Sequence, residues 1–247
     1  MIDRLGQVDW RRLPLLRTLW PIPRRLTCAL ALPLLAATIR LRIVGLEHVP
    51  GDGPLLVASN HLHNADPLLL GLAMPRPIHF MAKRELYANP IGGWMLRRAG
   101  AFPVDRGRAD RSAILTAEDR LRRGFAVGLF PEGTRSKTGW LQAAHAGAGL
   151  IALRSGAPIL PVAITGTERL PFNGLKRRSD QGCPRTPIRV VIRFGQPFTL
   201  EARTEGRRLT SAEATDEIMA AIGRLLPDEY RGERRAAGAS GSPAAVS

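Results

Sequence analysis

The succession of short apolar runs along this chain constrains its fold more than any other feature. Leu55-Leu56-Val57-Ala58-Ser59 follows Gly51-Asp52-Gly53-Pro54 and reads as a buried strand entered from a turn. Runs of the same kind recur at Ile78 to Met81, Ala101 to Val104, Ala126 to Phe130, Ile159 to Ile164 and Ile188 to Phe194. Ile39, Leu41 and Ile43 alternate with Arg40 and Arg42, the period of a half-buried strand. Helical patterns lie between the strands. Asp66-Pro67 resembles a helix start, with Asp at the N-cap and Pro at the first helical position. Arg111 to Arg123 carries Ile114, Leu115 and Leu121 and stops at Gly124. Thr210 and Glu213 have capping-box spacing before Ile218, Met219, Ile222, Leu225 and Leu226, and Pro227 ends that helix. Strands alternating with helices predict an α/β fold, a single domain over residues 39–231 with a central, mostly parallel or mixed sheet flanked by helices. Residues 232–247, which from Ala236 are Ala, Gly, Ser, Pro and Val, read as a disordered tail.

Residues 1–38 differ in character. The apolar run Leu26 to Ile39 contains Pro33 and falls short of the ~20 residues that span a bilayer as a helix. Before residue 50 there are eight arginines against three acids, interleaved with Trp10, Leu15, Leu16, Leu19 and Trp20. Such a segment is either a solvated basic helix packed on its own domain or, the reading adopted, a membrane-associating helical segment. Across the chain 36 Lys and Arg face 21 Asp and Glu, a formal net charge of +15, which attracts polyanions. With 5% aromatic residues and no nucleic-acid-binding motif, nucleic acid is not the expected partner; an anionic membrane surface is. Lys176-Arg177-Arg178 reads as a charged loop, either simply solvated or near the lipid surface. Cys28 and Cys183 suggest no disulfide framework and hence a reducing compartment. The expected location is therefore the cytoplasmic face of the plasma (inner) membrane, peripheral or monotopic.

The densest polar cluster, Ser59-Asn60-His61-Leu62-His63-Asn64-Ala65-Asp66, directly follows a buried strand, where sites collect in α/β folds. On a continuous helix His61 and Asp66 would sit about 140° apart, so they pair only if the chain bends between them. A strand, a turn and an Asp-Pro helix start supply that bend. A histidine held by a carboxylate on one nitrogen can take a hydroxyl proton on the other. The plainer alternative makes Asp66 an N-cap and His61 a hydrogen-bonded loop residue. The His61-Leu62-His63 pair also admits a zinc site, but His48, His79 and His145 do not complete a ligand spacing. The second cluster is Phe130-Pro131-Glu132-Gly133-Thr134-Arg135-Ser136, a loop that can offer backbone N–H groups and a guanidinium fork to a phosphate, or be a turn with a solvated arginine. Gly147-Ala148-Gly149-Leu150-Ile151-Ala152 fits a dinucleotide fingerprint formally; lacking a preceding strand, it reads as a glycine-containing helix packed closely on the sheet.

Together these clusters resemble the glycerolipid acyltransferase family, that of lysophosphatidate acyltransferase. Its signatures are Asn-His-x-x-x-x-Asp, here Asn60-His61 with Asp66, and Phe-Pro-Glu-Gly-Thr-Arg-Ser, here unaltered at 130–136. Gly100-Ala101-Phe102-Pro103-Val104-Asp105-Arg106 matches its second block. Met81-Ala82-Lys83-Arg84-Glu85-Leu86 resembles its Lys-x-Glu-Leu segment, and Ala157 to Ala163 its proline-containing fourth block. The resemblance covers about residues 40 to 200. It implies that His61 is the general base and Asp66 orients its ring. Lys83, Arg106 and Arg135 would hold the acceptor phosphate. Glu132 and Gly133 would shape the pocket floor, and Asn60 and Thr134 would join the substrate-binding set. It implies acyl-CoA or acyl carrier protein as co-substrate, a membrane lipid acceptor, and neither cofactor nor metal. The remaining alternatives are a different, non-phosphate acceptor, a zinc hydrolase and a non-catalytic lipid-binding homologue. Two positions depart from the pattern. His63 stands where the family often has Ser, and Ala144-His145-Ala146 replaces the usual aromatic and Lys.

Overall fold

The computed structural model of the chain describes residues 39–105, 110–170, 187–201, 203–204 and 207–231. The segment 1–38, Cys28, Cys183, Arg106, Lys176-Arg177-Arg178 and the tail 232–247 lie outside the described residues. The apolar runs form seven strands of one sheet: β1 (Ile39–Val44), β2 (Leu55–Ser59), β3 (Ile78–Lys83), β4 (Phe102–Val104), β5 (Ala126–Leu129), β6 (Ile159–Thr165) and β7 (Ile188–Phe194). A two-stranded ribbon, β8 (Arg203–Thr204) and β9 (Arg207–Arg208), lies apart. The helices are α1 (Asp66–Ala73), α2 (Pro90–Arg98), α3 (Arg111–Arg122), α4 (Gly147–Ser155), α5 (Ser211–Leu225) and the short α6 (Asp228–Arg231).

The sheet runs β1-β7-β6-β2-β5-β3-β4. Every pairing in it is parallel except β6 with β7, so five adjacent strands end on one edge and the sheet is mixed, as expected. Strands that are buried on both faces need apolar residues throughout, which is why β2, β5 and β6 are continuous runs while the edge strand β1 alternates. Leu55 and Val57 of β2 pack with Leu69, Leu70 and Ala73 of α1 on one face. Leu56 and Ala58 pack on the other with Ala117 and Leu121 of α3, Ile151 of α4, and Ile218 and Ile222 of α5. The result is a helix–sheet–helix sandwich with two cores. Among the described residues no helix is long and apolar enough to cross a membrane.

The capping box of α5 forms as expected, with both reciprocal Thr210–Glu213 bonds present. Asp110 caps α3 through the N–H of Ala113. At Gly149 a Cβ would collide with the Ser211 carbonyl oxygen, so α4 is pressed against α5 as well as packing on the sheet through Ile151 and Ala152. The Gly149 N–H donates to Thr215 Oγ1 at 3.0 Å.

Candidate active site

β2 is the central strand, and its carboxyl end carries the first polar cluster between the ends of β5 and β6. The ladder with β6 is last registered at Ser59 opposite Val162. Asn60 then prolongs it with its side chain: Nδ2 donates to the Ile164 carbonyl at 2.8 Å, and Oδ1 accepts the Ile164 N–H at 2.7 Å. Both ends of this buried amide are thus engaged by backbone. The side chain thereby fixes where the strand stops and the turn begins.

The turn brings His61 and Asp66 together, with His61 Nδ1 2.8 Å from Asp66 Oδ2. The same oxygen accepts the N–H groups of Leu62 and His63, each at 2.6 Å. Three donors converging on one fully buried carboxylate oxygen hold the loop as a tight nest around it. Here the N-cap expectation is corrected. The helix begins at Asp66, Ala65 occupies the cap position, and no side chain caps it, because the Asp66 carboxylate turns back to the preceding loop. With a carboxylate on Nδ1, the imidazole carries its proton there and leaves Nε2 as the basic nitrogen.

The second cluster locks onto His61 at every part of the residue. The His61 N–H donates to Glu132 Oε1 at 2.9 Å, its carbonyl accepts the Ser136 N–H at 2.8 Å, and its ring stacks on Phe130 at 4.1 Å between centroids. Phe130 in turn stacks on Phe80 of β3, centroids 6.0 Å apart. The Phe80 ring occupies the space over Gly128, where a Cβ would lie 2.5 Å from it. A glycine in β5 therefore allows the ring stack that supports the histidine.

Glu132 is buried, and its second oxygen accepts the Gln142 N–H at 3.0 Å. Burial raises its pKa to about 7, outweighing the two N–H bonds, which pull it down; the Asp66 charge adds to the rise. Its carboxylate joins its own loop to those of His61 and Gln142. Gly133 adopts φ 67°, a left-handed conformation, and a Cβ there would meet the His145 ring at 2.7 Å. His145 thus lies over the loop at Gly133, with its N–H bonded to the Pro131 carbonyl. Thr134 is exposed and Arg135 half-buried. Lys83, at the carboxyl end of β3 on the same sheet edge, is exposed and paired with Glu85 at 3.1 Å.

His63 Nδ1 accepts the Ala65 N–H at 3.0 Å, the bond to the residue two positions on that a serine hydroxyl also makes. Among the described residues no group of three or more His, Cys, Asp or Glu side chains could hold a metal ion. Sequence reasoning missed Gln142 as part of the site, and it named Phe130 within the second cluster without its stacking on His61. Neither is chemically conspicuous, and only the closing of the loop onto His61 reveals them.

Known proteins resemble this chain in sequence and in fold. The 1-acyl-sn-glycerol-3-phosphate acyltransferase of Bacillus subtilis is 36% identical over 127 residues, covering 51% of this chain and 63% of that protein. The lyso-ornithine lipid O-acyltransferase of Pseudomonas aeruginosa is 36% identical over 114 residues, 45% of this chain and 43% of that protein. For the first curated relatives the matched stretch spans 42% to 63% of their own length. The crystal structure of the 1-acyl-sn-glycerophosphate (LPA) acyltransferase PlsC from Thermotoga maritima shares the fold, with a TM-score of 0.59 at 22% identity over 92% of this chain and 91% of that one. The family model described as Acyltransferase matches residues 40–165, a stretch that holds His61, Asp66 and the whole 130–136 loop, and the chain belongs to that family.

Proposed function

We propose that this protein transfers a fatty acyl group from acyl-CoA or acyl carrier protein to the free hydroxyl of a lysophosphatidate-type acceptor at a membrane surface. The observation that carries this reading is the His61 Nδ1–Asp66 Oδ2 contact of 2.8 Å, which leaves Nε2 as the basic nitrogen at the carboxyl end of the central strand. In the reaction Nε2 takes the acceptor hydroxyl proton as the oxygen attacks the thioester carbonyl carbon. The tetrahedral intermediate collapses, the C–S bond breaks, and the imidazolium returns its proton to the leaving thiolate. Asp66 holds the ring in one tautomer and stabilises its charged form. No protein nucleophile, cofactor or metal enters these steps. Arg135 holds the acceptor phosphate, with Lys83 and Arg106 adding positive charge.

A second reading keeps the chemistry and changes the acceptor to one without phosphate. Two observations favour it: His145 at the position of the family's usual lysine, and a relative named for a lyso-ornithine lipid. The test is acyl transfer from acyl-CoA and from acyl carrier protein to lysophosphatidate, to the monoacylglycerol left by removing its phosphate, and to a lyso-ornithine lipid. Preference for lysophosphatidate supports the first reading. Equal use of lysophosphatidate and monoacylglycerol removes the phosphate from it, and no transfer to any of the three removes the acyltransferase reading.

A further inference from the structure

The sheet edge that carries the site continues beyond β3 into a surface of different chemistry. After Lys83 the chain makes a single 3₁₀ turn, Arg84–Tyr87, and then α2. Gly93 seats that helix: a Cβ there would lie 2.7 Å from the Tyr87 carbonyl oxygen, so the helix is held tightly against the turn on one side. Among the described residues nothing covers its other side. Ile91 is 73% exposed, Leu86 53% and Trp94 43%, the first two being the most exposed large apolar residues among those described. Ile91, Trp94 and Arg98 follow one another at spacings of three and four, so they share a helix face.

Exposed apolar residues scattered singly need no explanation; three on adjoining turns, ringed by cations, do. Arg98 lies over the Trp94 ring at 5.5 Å and Arg97 over the Tyr87 ring at 5.9 Å. Lys83 and Arg84 are ion-paired with Glu85 and Asp105, so the positive charge of this surface rests on Arg97 and Arg98. Tryptophan beside arginine, with an aliphatic centre, suits the boundary where headgroup phosphates overlie acyl chains. An acidic protein would find the charges but leave Leu86 and Ile91 in water, so the apolar centre favours lipid.

From this we infer that the 3₁₀ turn and α2 form a docking surface for an anionic lipid bilayer, with Leu86, Ile91 and Trp94 entering the interface and Arg97 and Arg98 bonding headgroup phosphates. This rests on the membrane-bound acceptor proposed above and gives it a location. Because β3 leads directly from the His61 edge into this surface, docking there would bring the acceptor's hydroxyl to the site without lifting its chain fully from the bilayer.

The test uses the full chain and two double variants, Ile91→Ser/Trp94→Ser and Arg97→Gln/Arg98→Gln. Each is sedimented with phosphatidylcholine vesicles, with and without phosphatidylglycerol. Two arginines near an anionic surface correspond to about 30-fold in partitioning, since each contributes ~1 kcal/mol. Loss of the apolar pair should weaken it about 10-fold, the equivalent of ~55 Å² of buried apolar surface. Transfer to a short-chain acceptor dissolved as monomers should stay at the wild-type level, because neither pair touches the site. Unchanged partitioning of both variants would overturn the assignment. So would unchanged partitioning with lost binding to acyl carrier protein, which makes the surface an acidic-protein dock. A lowered melting temperature for Ile91→Ser/Trp94→Ser would also overturn it, showing that the patch is covered within the chain. Failure of the wild type to transfer acyl groups to any acceptor would sink the proposed function instead, and the vesicle result would still be read.

Discussion

The turn after β2 and the turn after β3 leave the same edge of one parallel array, yet they are built on opposite rules. In the first, Asn60, His61 and Asp66 are buried, and the Asn60 amide, His61 Nδ1 and Asp66 Oδ2 are each bonded to backbone or to another buried side chain. In the second, Lys83, Arg84 and Glu85 are exposed, and their contacts are surface ion pairs. A buried hydrogen-bonded nest has one geometry, because each broken bond strands a polar group away from water at a cost of about 1–3 kcal/mol. Exposed ion pairs contribute about 0–1 kcal/mol and can exchange partners. Proton transfer needs the first kind of construction, while capture of a charged lipid is served by the second.

The sharpest way to break this contrast is at His61. His61→Ala should lower the acyl-transfer rate by about 10²- to 10⁴-fold with a native circular dichroism spectrum, whereas His63→Ala should do much less. An inactive His63→Ala beside an active His61→Ala would assign the base to the wrong histidine.

Next in size is Glu132. Its folded-state pKa is about 7 against an ordinary value of 4.5. Between those pH values the folded chain keeps a proton that the unfolded chain has lost, so this group makes stability fall as pH rises through the window. Glu132→Gln removes the titration and gives up an acceptor at every pH. Its stability relative to wild type should therefore climb by about 3 kcal/mol between pH 4.5 and pH 8, read from urea midpoints. A constant difference would show that Glu132 does not titrate in this range.

Smaller effects belong to the cations. Arg135→Lys should weaken use of a phosphate acceptor about 10-fold and leave donor use unchanged, since an ammonium lacks the planar fork. Lys83→Ala should cost only a few-fold, in keeping with an exposed, ion-paired side chain. Both are measured as kcat/KM for lysophosphatidate. If Lys83→Ala cost more than Arg135→Lys, the exposed edge would be the main phosphate holder and the contrast between the two turns would need redrawing.

Sequence alone determined what depends on local chemistry. The strands are apolar runs, α3 and α5 are announced by the stop at Gly124 and the box at Thr210, and the two polar clusters are conspicuous because they directly follow buried strands. Local pattern did not announce α2: Gly92-Gly93 argues against a helix, and only the fit of Gly93 against Tyr87 explains it. Nor did it separate a paired His61–Asp66 from a plain N-cap, since both begin with the same Asp-Pro. That choice was made by residues far along the chain. Glu132, 71 positions from His61, fixes its N–H, and Ile164, 104 positions from Asn60, ends the strand. Strand order is equally non-local, as β7 must cross to lie between β1 and β6. Hydrophobic period and capping are written within a few residues, whereas the direction of a carboxylate follows from which distant backbone groups the packed sheet brings within reach.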